Sequence, residues 1–288
     1  MSARVPTISP MTHPRDLPFT LTLTTSDPDL VRQADAAGVD WIGVDIERIL
    51  KLERQGNLRD ARISDHKLDD LAVIAPLTRH AKVFARLNPI HIASAVEIER
   101  SIELGASVLM LPYFRSATEV EQFVDLVRGR ATVVLLLETA AATARLHQIV
   151  SIPGISEIVV GLNDLHLSLG LASHFEVVVS DIMETIGQHV IEAGLRFGFG
   201  GLARVNDQTL PVPPDLLYAQ YPRLGARSAW LSRSFFKGHA GVLDLSAEIA
   251  LLRTRLRFWA EQPAEALLEK RAELRRLTSQ LAANPQQS

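Results

Sequence analysis

Two acidic residues, Glu138 and Asp164, have the type and the spacing needed to hold one metal ion between them. Glu138 follows the apolar run VVLLL at 133–137, which predicts a strand buried on both faces. Asp164 comes at the end of the next predicted strand, so the two acids should lie on neighbouring strands. Buried unpaired carboxylates are costly, and two of them at adjacent strand ends can share one cation. Glu138 alone could instead cap the next helix, because acids are favoured in a first helical turn.

The donor atoms of this pair favour a hard metal ion. The chain has no cysteine, and no obvious histidine cluster accompanies the two acids. Oxygen ligands of this kind are preferred by Mg²⁺, with Mn²⁺ as the alternative. Two protein ligands would leave positions open for water or for a chelating substrate, which is typical of a catalytic site and not of a structural one.

Further polar residues end the other predicted strands and complete a candidate site. They are Asp45, Glu47 and Arg48 after the second strand, Arg86 and Asn88 after the third, Pro112 and Tyr113 after the fourth, and Arg204 and Arg233 after the last two. Three loop histidines share this rim and are either solvated or catalytic: His66, His91 and His166. Arg204 and Arg233 could bind a substrate carboxylate or phosphate, or pair with Asp45 or Glu47.

The elements that must position these residues alternate short apolar strands with amphipathic helices. Eight such units predict an α/β fold, a (β/α)₈ TIM barrel, in which the carboxyl ends of the strands carry the chemistry. The sixth and eighth strands are predicted over SEIVVGLNDL at 156–165 and SAWLSRSFF at 228–236. A doubly wound open sheet is the alternative, but TTSDPD at 24–29 lacks the glycine-rich phosphate turn usual after its first strand.

The pattern divides the chain into four parts. These are a flexible N-terminal segment (1–17), the barrel (18–243), an extended C-terminal helical segment (244–283) and a disordered tail (284–288). The C-terminal helices carry an apolar stripe that includes Leu252, Leu256 and Leu274. That stripe must be buried either on a neighbouring subunit, which would make the protein a homo-oligomer, or on its own barrel.

Composition excludes several classes of protein. The hydrophobic content of 47% suffices for a full core, and the net charge of −3 is spread over mixed charges. A nucleic-acid-binding protein would need a concentrated basic face, so no nucleic-acid partner is expected. The first residues lack the apolar core of a secretory signal, and no run reaches membrane-spanning length. We therefore expect a cytoplasmic protein without a membrane partner.

Five segments together resemble the HpcH/HpaI aldolase and citrate lyase family, within the phosphoenolpyruvate/pyruvate-domain superfamily. They are DIE, ARLN, ASVLMLPYF, LLLET and IPGISEIVVGLNDLHLSLG, within residues 38 to 170. The resemblance implies a TIM barrel that is often oligomeric, with its last helix exchanged between subunits. It also implies a divalent metal on Glu138 and Asp164. Members make or break carbon–carbon bonds through a metal-bound pyruvate-type enolate or an acyl-CoA enolate.

The same resemblance suggests roles for other residues. Arg86 matches the family's arginine and would place positive charge beside the enolate oxygen. Asp45 and Glu47 would orient water, the metal ligands or Arg86, so these three residues form the predicted catalytic set. Backbone amides near Pro112 and Tyr113 could hold the substrate carboxylate, beside Arg86 and the two later arginines.

Arg48 departs from the family pattern. The aldolase branch carries a histidine here and the citrate-lyase branch usually an aspartate, whereas a guanidinium cannot act as a base at neutral pH. Proton transfer would then fall to a metal-bound water, Glu47 or another histidine. The resulting prediction is a metal-dependent carbon–carbon lyase, a class II pyruvate-type aldolase acting on a small hydroxy-keto acid. The alternatives are a citrate-lyase-like acyl-CoA lyase and a non-catalytic barrel that binds a keto acid.

Overall fold

A computed structural model describes residues 18–49, 51, 64–237 and 243–283. All strand pairs in these ranges are parallel, and they form one sheet in the order β7-β6-β5-β4-β3-β2-β1-β9-β8. The strands are β1 (Thr20–Thr24), β2 (Trp41–Asp45), β3 (Lys82–Arg86), β4 (Val108–Leu111), β5 (Thr132–Leu137), β6 (Ile155–Val160), β7 (Arg196–Phe199), β8 (Gly201–Leu202) and β9 (Ser228–Leu231).

The sheet closes on itself through a strand that is broken at Gly200. β7 pairs with β6, and β8, which begins one residue after Gly200, pairs with β9. Backbone hydrogen bonds join the two sides, since Arg227 N–H donates to the Phe197 carbonyl (2.7 Å) and Trp230 N–H donates to the Gly200 carbonyl (3.2 Å). Counting β7 and β8 as one broken strand gives eight barrel strands, which confirms the predicted TIM-barrel fold.

Gly200 makes this break with a left-handed backbone. Its φ is +49°, and a Cβ there would lie 2.7 Å from Leu162 Cδ1. A side chain at this position would therefore be strained and would also collide with its neighbour.

Helices follow most of the strands. They are α1 (Pro28–Ala36), α2 (Asp70–Ile74), α3 (Ser94–Glu103), α4 (Ala117–Val127), α5 (Ala140–Thr143), α6 (Leu146–Ile149), α7 (Leu162–Leu169), α8 (His174–Val179), α9 (Asp181–Glu192), α10 (Pro214–Tyr218), α11 (Gln220–Leu224), α12 (Leu245–Ala260) and α13 (Ala264–Ala283). Local sequence starts several of them. Ser116 and Glu119 form a capping box before α4, and Asp27 caps α1 ahead of a first-turn proline.

Two predicted strands are shorter than expected. The sixth ends at Val160 and not at Leu165, because Gly161 turns the chain and the leucines at 162, 165 and 169 follow helical spacing. Leu165 N–H accordingly donates to the Gly161 carbonyl (3.0 Å). The eighth ends at Leu231, and a short 3₁₀ helix covers Arg233–Phe236.

Aromatic side chains fill the barrel interior beneath the carboxyl ends of the strands. Trp41 and Phe84 stack with their ring centroids 6.3 Å apart, and Trp230 meets Phe84 edge-on at 5.7 Å. Apolar residues from β4, β5 and β6 pack around them. The barrel is therefore a filled core with a polar mouth, as expected for a barrel of this size.

The apolar stripe of the C-terminal helices lies against the chain's own barrel. Leu252 and Leu274 are fully buried, and α13 packs on α8, α10 and α11. The guanidinium groups of Arg271 and Arg275 donate to the Val179 carbonyl at the end of α8 (3.1 and 2.7 Å). Of the two predicted surfaces for the stripe, a neighbouring subunit or the chain's own barrel, the structure shows packing on the chain's own barrel. Assembly into a homo-oligomer stays a prediction.

In the described ranges, no helix combines the length and the hydropathy that crossing a bilayer requires.

Candidate functional site

Three buried carboxylates, which we call the carboxylate triad, meet at the mouth of the barrel: Glu47, Glu138 and Asp164. One oxygen from each side chain lies within 4.8 Å of an oxygen of the other two. The side chains come from the loop after β2, the end of β5 and the first turn of α7. The pair predicted from the sequence is thus brought together, and Glu47, which the sequence analysis predicts to orient its neighbours, lies with it.

The backbone around Glu138 holds its carboxylate in place. Tyr113 N–H donates to Glu138 Oε1 (2.9 Å), and a Cβ on Gly161 would lie only 2.6 Å from Glu138 Oε2. Thr139, and not Glu138, caps the next helix, because the Thr139 hydroxyl accepts the Ala142 N–H (3.0 Å). Glu138 therefore lies with the other triad members at the barrel mouth and does not cap the helix.

Asp164 occupies a different kind of position. It lies in the first turn of α7, where the partial positive charge of a helix N-terminus favours a carboxylate. Two residues later, His166 lies on the same helix with Nδ1 3.2 Å from the Leu162 carbonyl oxygen. The His166 ring faces His174 at 6.3 Å, and burial together with His166 lowers the pKa of His174 to about 4.

Arg86 lies beside the triad and is clamped by Asp45. Its Nε and Nη2 donate to the two oxygens of Asp45 (2.8 and 2.5 Å), and its Nη1 lies 3.4 Å from Glu47 Oε2. The guanidinium also covers the Trp230 ring, 4.9 Å from its centroid. Burial alone would raise the pKa of Asp45, but the charge and hydrogen bonds of Arg86 hold it well below its usual value. The pair is therefore ionised.

Lys51 is a site residue that the sequence reasoning missed. Its ammonium lies 3.2 Å from Glu47 Oε2 and 3.6 Å from Asp45 Oδ2, and its side chain is buried. The available signal was the four-residue spacing from Glu47 to Lys51, a spacing that pairs opposite charges when the segment is helical. That spacing was not informative without the knowledge that both side chains turn inward.

The charge of this cluster suits a divalent ion. The triad and Asp45 supply four carboxylates, and Arg86 and Lys51 supply two cations. Among these side chains, negative charges outnumber positive ones by two when all are ionised. An all-oxygen donor set of three carboxylates fits Mg²⁺ or Mn²⁺, so the residues present fit the metal that the sequence predicted.

Arg48 is bonded to the backbone of a neighbouring segment. Its side chain is exposed, and its guanidinium donates to the carbonyl groups of Ser64 (3.5 Å) and His66 (3.1 Å). The Asn88 side chain accepts the backbone N–H of Arg48 (2.9 Å), while His66 Nδ1 accepts the N–H of Asp45 (3.1 Å). Burial lowers the pKa of His66, so its ring favours the neutral form. The hydrogen bonds of Arg48, Asn88 and His66 therefore fix the backbone on both sides of Glu47.

The remaining predicted residues have other neighbours. The Arg204 guanidinium donates to the Lys237 carbonyl (2.7 Å) and lies 3.6 Å from Asp207 Oδ2, and Arg233 starts the 3₁₀ helix. His91 Nδ1 lies 3.1 Å from the Pro89 carbonyl oxygen and 3.0 Å from the Ser94 hydroxyl. Their roles toward a substrate stay predictions.

Tyr113 has a strained backbone at the edge of the triad. Its φ is +49°, a conformation that non-glycine residues rarely adopt, and it aims the Tyr113 amide at Glu138. The Tyr113 amide, predicted with Pro112 to bind a substrate carboxylate, is therefore bonded to a protein carboxylate.

We expect Tyr113→Gly to be more stable than Tyr113→Ala by about 1 kcal/mol, because only glycine adopts this φ without penalty. Urea unfolding of the two variants measures the difference, in which the loss of the phenol ring cancels. Arg128, with φ +53° at the end of α4, is a matched control that should show the same order. Equal stability of the two Tyr113 variants would contradict the strain.

Comparison with known proteins agrees with this architecture. The family model described as HpcH/HpaI aldolase/citrate lyase matches residues 19–208, more than half of the chain. A comparison with curated proteins finds no significant match to the sequence.

Solved structures of the same fold include the HpcH/HpaI aldolase from Desulfitobacterium hafniense DCB-2 (TM-score 0.59, 16% identity, 85% of this chain and 94% of that chain covered). A family protein from Burkholderia cenocepacia J2315 is similar (TM-score 0.59, 17% identity, 85% and 96% covered). So is the citrate lyase beta subunit from M. tuberculosis, solved with oxaloacetate and magnesium (TM-score 0.59, 15% identity, 85% and 100% covered). At these identities the structures support the fold alone, and it is the family match that decides membership. The chain belongs to the HpcH/HpaI aldolase/citrate lyase family.

Proposed function

We propose that this protein is a divalent-metal-dependent carbon–carbon lyase that cleaves or forms a small hydroxy-keto acid. The observation that carries the proposal is the carboxylate triad, buried at the barrel mouth with its oxygens within 4.8 Å of one another and with Arg86 alongside. The citrate lyase beta subunit of M. tuberculosis supports the class of ligand, because its structure contains a keto acid, oxaloacetate, together with magnesium.

In this proposal the triad holds the ion, and Tyr113 N–H and Gly161 keep Glu138 turned toward it. When bound, the ion supplies Lewis-acid polarisation of the substrate's keto and carboxylate oxygens. Glu138 and Asp164 therefore act by orientation and charge and take no covalent part in the reaction.

Arg86 stabilises the negative charge that develops on the keto oxygen as the carbon–carbon bond breaks. Its bidentate bond to Asp45 fixes the guanidinium before substrate arrives, so little reorganisation is needed during the reaction. Trp230 covers one face of the guanidinium and lowers the local dielectric, which strengthens its electrostatic effect.

Proton transfer needs a group other than Arg48. The Arg48 guanidinium stays charged and is engaged with two backbone carbonyls, so it neither accepts nor releases the substrate proton. The proton acceptor is therefore Glu47, a rim histidine or a water molecule.

Metal removal tests the proposal. Pyruvate release from 4-hydroxy-2-keto acids should fall by at least about 100-fold after exhaustive EDTA treatment and should return when Mg²⁺ or Mn²⁺ is added. EDTA saturated with Mg²⁺ beforehand is the control and should leave the rate unchanged. Activity that survives complete chelation would rule out the metal role.

Two parallel measurements separate the other activities. Cleavage of a hydroxyacyl-CoA thioester without cleavage of the free keto acids would identify an acyl-CoA lyase. Calorimetry with Mg²⁺ and oxalate completes the comparison. Tight binding without turnover of either substrate class would identify a non-catalytic keto-acid-binding barrel.

A further inference from the structure

Lys51 places a positive charge against one member of the carboxylate triad. Its ammonium is 3.2 Å from Glu47 Oε2, with 6% of the lysine side chain and none of the Glu47 side chain exposed. A cation this close to a carboxylate lowers the affinity of that carboxylate for any other cation. The effect is strong at this site because burial weakens the screening by solvent.

The ammonium also has a second acceptor within reach. Asp45 Oδ2 lies 3.6 Å from Lys51 Nζ, so the lysine can give up Glu47 and remain paired with Asp45. This matters because a buried charge that lost its only partner would be costly. Lys51 can therefore exchange partners at small energetic cost.

Arg86 cannot exchange in the same way, although its Nη1 is 3.4 Å from the same Glu47 oxygen. Two hydrogen bonds to Asp45 and the contact with Trp230 hold the guanidinium from two sides. Of these two cations near Glu47, Lys51 is the one whose place a metal ion could take.

We propose that Lys51 competes with the divalent ion for Glu47 and so sets the metal affinity of the site. This inference rests on the proposed metal role of the triad. In the metal-free protein Lys51 neutralises Glu47, and metal binding shifts the lysine to Asp45. Lys51 is thus a positioning residue that keeps metal binding weaker than three carboxylates alone would make it.

The test is a titration with Mn²⁺ alone, in which free Mn²⁺ is counted by electron paramagnetic resonance. We expect Lys51→Met to bind Mn²⁺ at least about fivefold more tightly than the unmodified chain, because the competing charge is gone. Lys51→Arg keeps the charge and should stay within about threefold of the unmodified affinity. Lys51→Gln is prepared in parallel as a second neutral variant, in case the methionine variant does not fold.

Two controls separate competition from other effects. Lys82→Met removes the same charge from an exposed position at the start of β3 and should leave the affinity unchanged. In a Glu47→Gln background, the gain from Lys51→Met should shrink, because the contested carboxylate is absent. Unchanged or weaker Mn²⁺ binding in a folded neutral variant overturns the proposal, and so does an undiminished gain in the Glu47→Gln background.

The outcome is independent of the catalytic proposal. Tighter Mn²⁺ binding by Lys51→Met in a protein that turns over no keto acid would support the competition and refute the lyase. Metal-dependent turnover with no change in Mn²⁺ affinity in Lys51→Met would support the lyase and refute the competition.

Discussion

Replacing Glu138 with glutamine should lower Mn²⁺ affinity by at least about 100-fold and turnover by about 1,000-fold. The amide keeps the shape of the side chain and can still accept the Tyr113 N–H, but it removes a negative charge from the triad. Asp164→Asn should have a similar effect, because it removes the charge of another member of the triad. Calorimetric titration with Mn²⁺ and the pyruvate-release assay measure the two quantities.

A buried glutamate elsewhere in the barrel provides the matched control. Glu157 on β6 is completely buried, accepts a hydrogen bond from Ser228 and lies beside Arg196. Burial raises the pKa of Glu157 and so disfavours its charged form. Replacing Glu157 with a neutral residue should therefore perturb the local electrostatics less than the same change in the triad. Glu157→Gln should leave Mn²⁺ affinity unchanged. Equal losses in Glu157→Gln and Glu138→Gln would mean that both variants damage the fold and not the metal site.

Gly161→Ala should weaken Mn²⁺ binding by about 100-fold although it removes no ligand atom. The new methyl group would lie 2.6 Å from Glu138 Oε2 and 3.0 Å from Glu138 Cβ, so the carboxylate must move. The same residue begins the turn into α7, which carries Asp164. One methyl group thus disturbs two members of the triad.

The control for this prediction lies at the other end of the same helix. An added Cβ at Gly170 meets no atom within 4 Å, so Gly170→Ala should cost some stability and leave Mn²⁺ affinity unchanged. Thermal unfolding of both variants, measured beside the titrations, separates stability from metal binding. Unchanged affinity in Gly161→Ala would show that Glu138 does not depend on this close approach.

The barrel could be predicted because its signals are local. Alternation of apolar strands with amphipathic helices is written in the spacing of residues, and parallel strands joined by helices leave few topologies. The same logic brought Glu138 and Asp164 together, since their strands are neighbours. The sequence prediction placed Asp164 at the end of a strand, whereas it lies in the first turn of α7. The apolar run continues past Gly161, and only the helical spacing of the leucines shows that the strand has ended.

Lys51 and Tyr113 could not be predicted in this way. The contact of Lys51 with Glu47 is local, but its role depends on the burial of both side chains beside the triad, which the four-residue spacing does not reveal. The left-handed backbone of Tyr113 has no sequence signal, because glycine or asparagine would be expected there. For α13 the sequence supplied the apolar stripe, but an apolar stripe does not identify the surface that covers it.

The break at Gly200 ties the closing seam of the barrel to the helix that carries Asp164. A side chain there would strike Leu162, and Leu162 is the first residue of that helix. The strand break at Gly200 therefore also allows the close approach of the first residue of α7, the helix that carries Asp164. A substitution at Gly200 should therefore disturb both the closure of the barrel and the position of Asp164 in the triad, so we expect barrel closure and the proposed metal binding to be lost together.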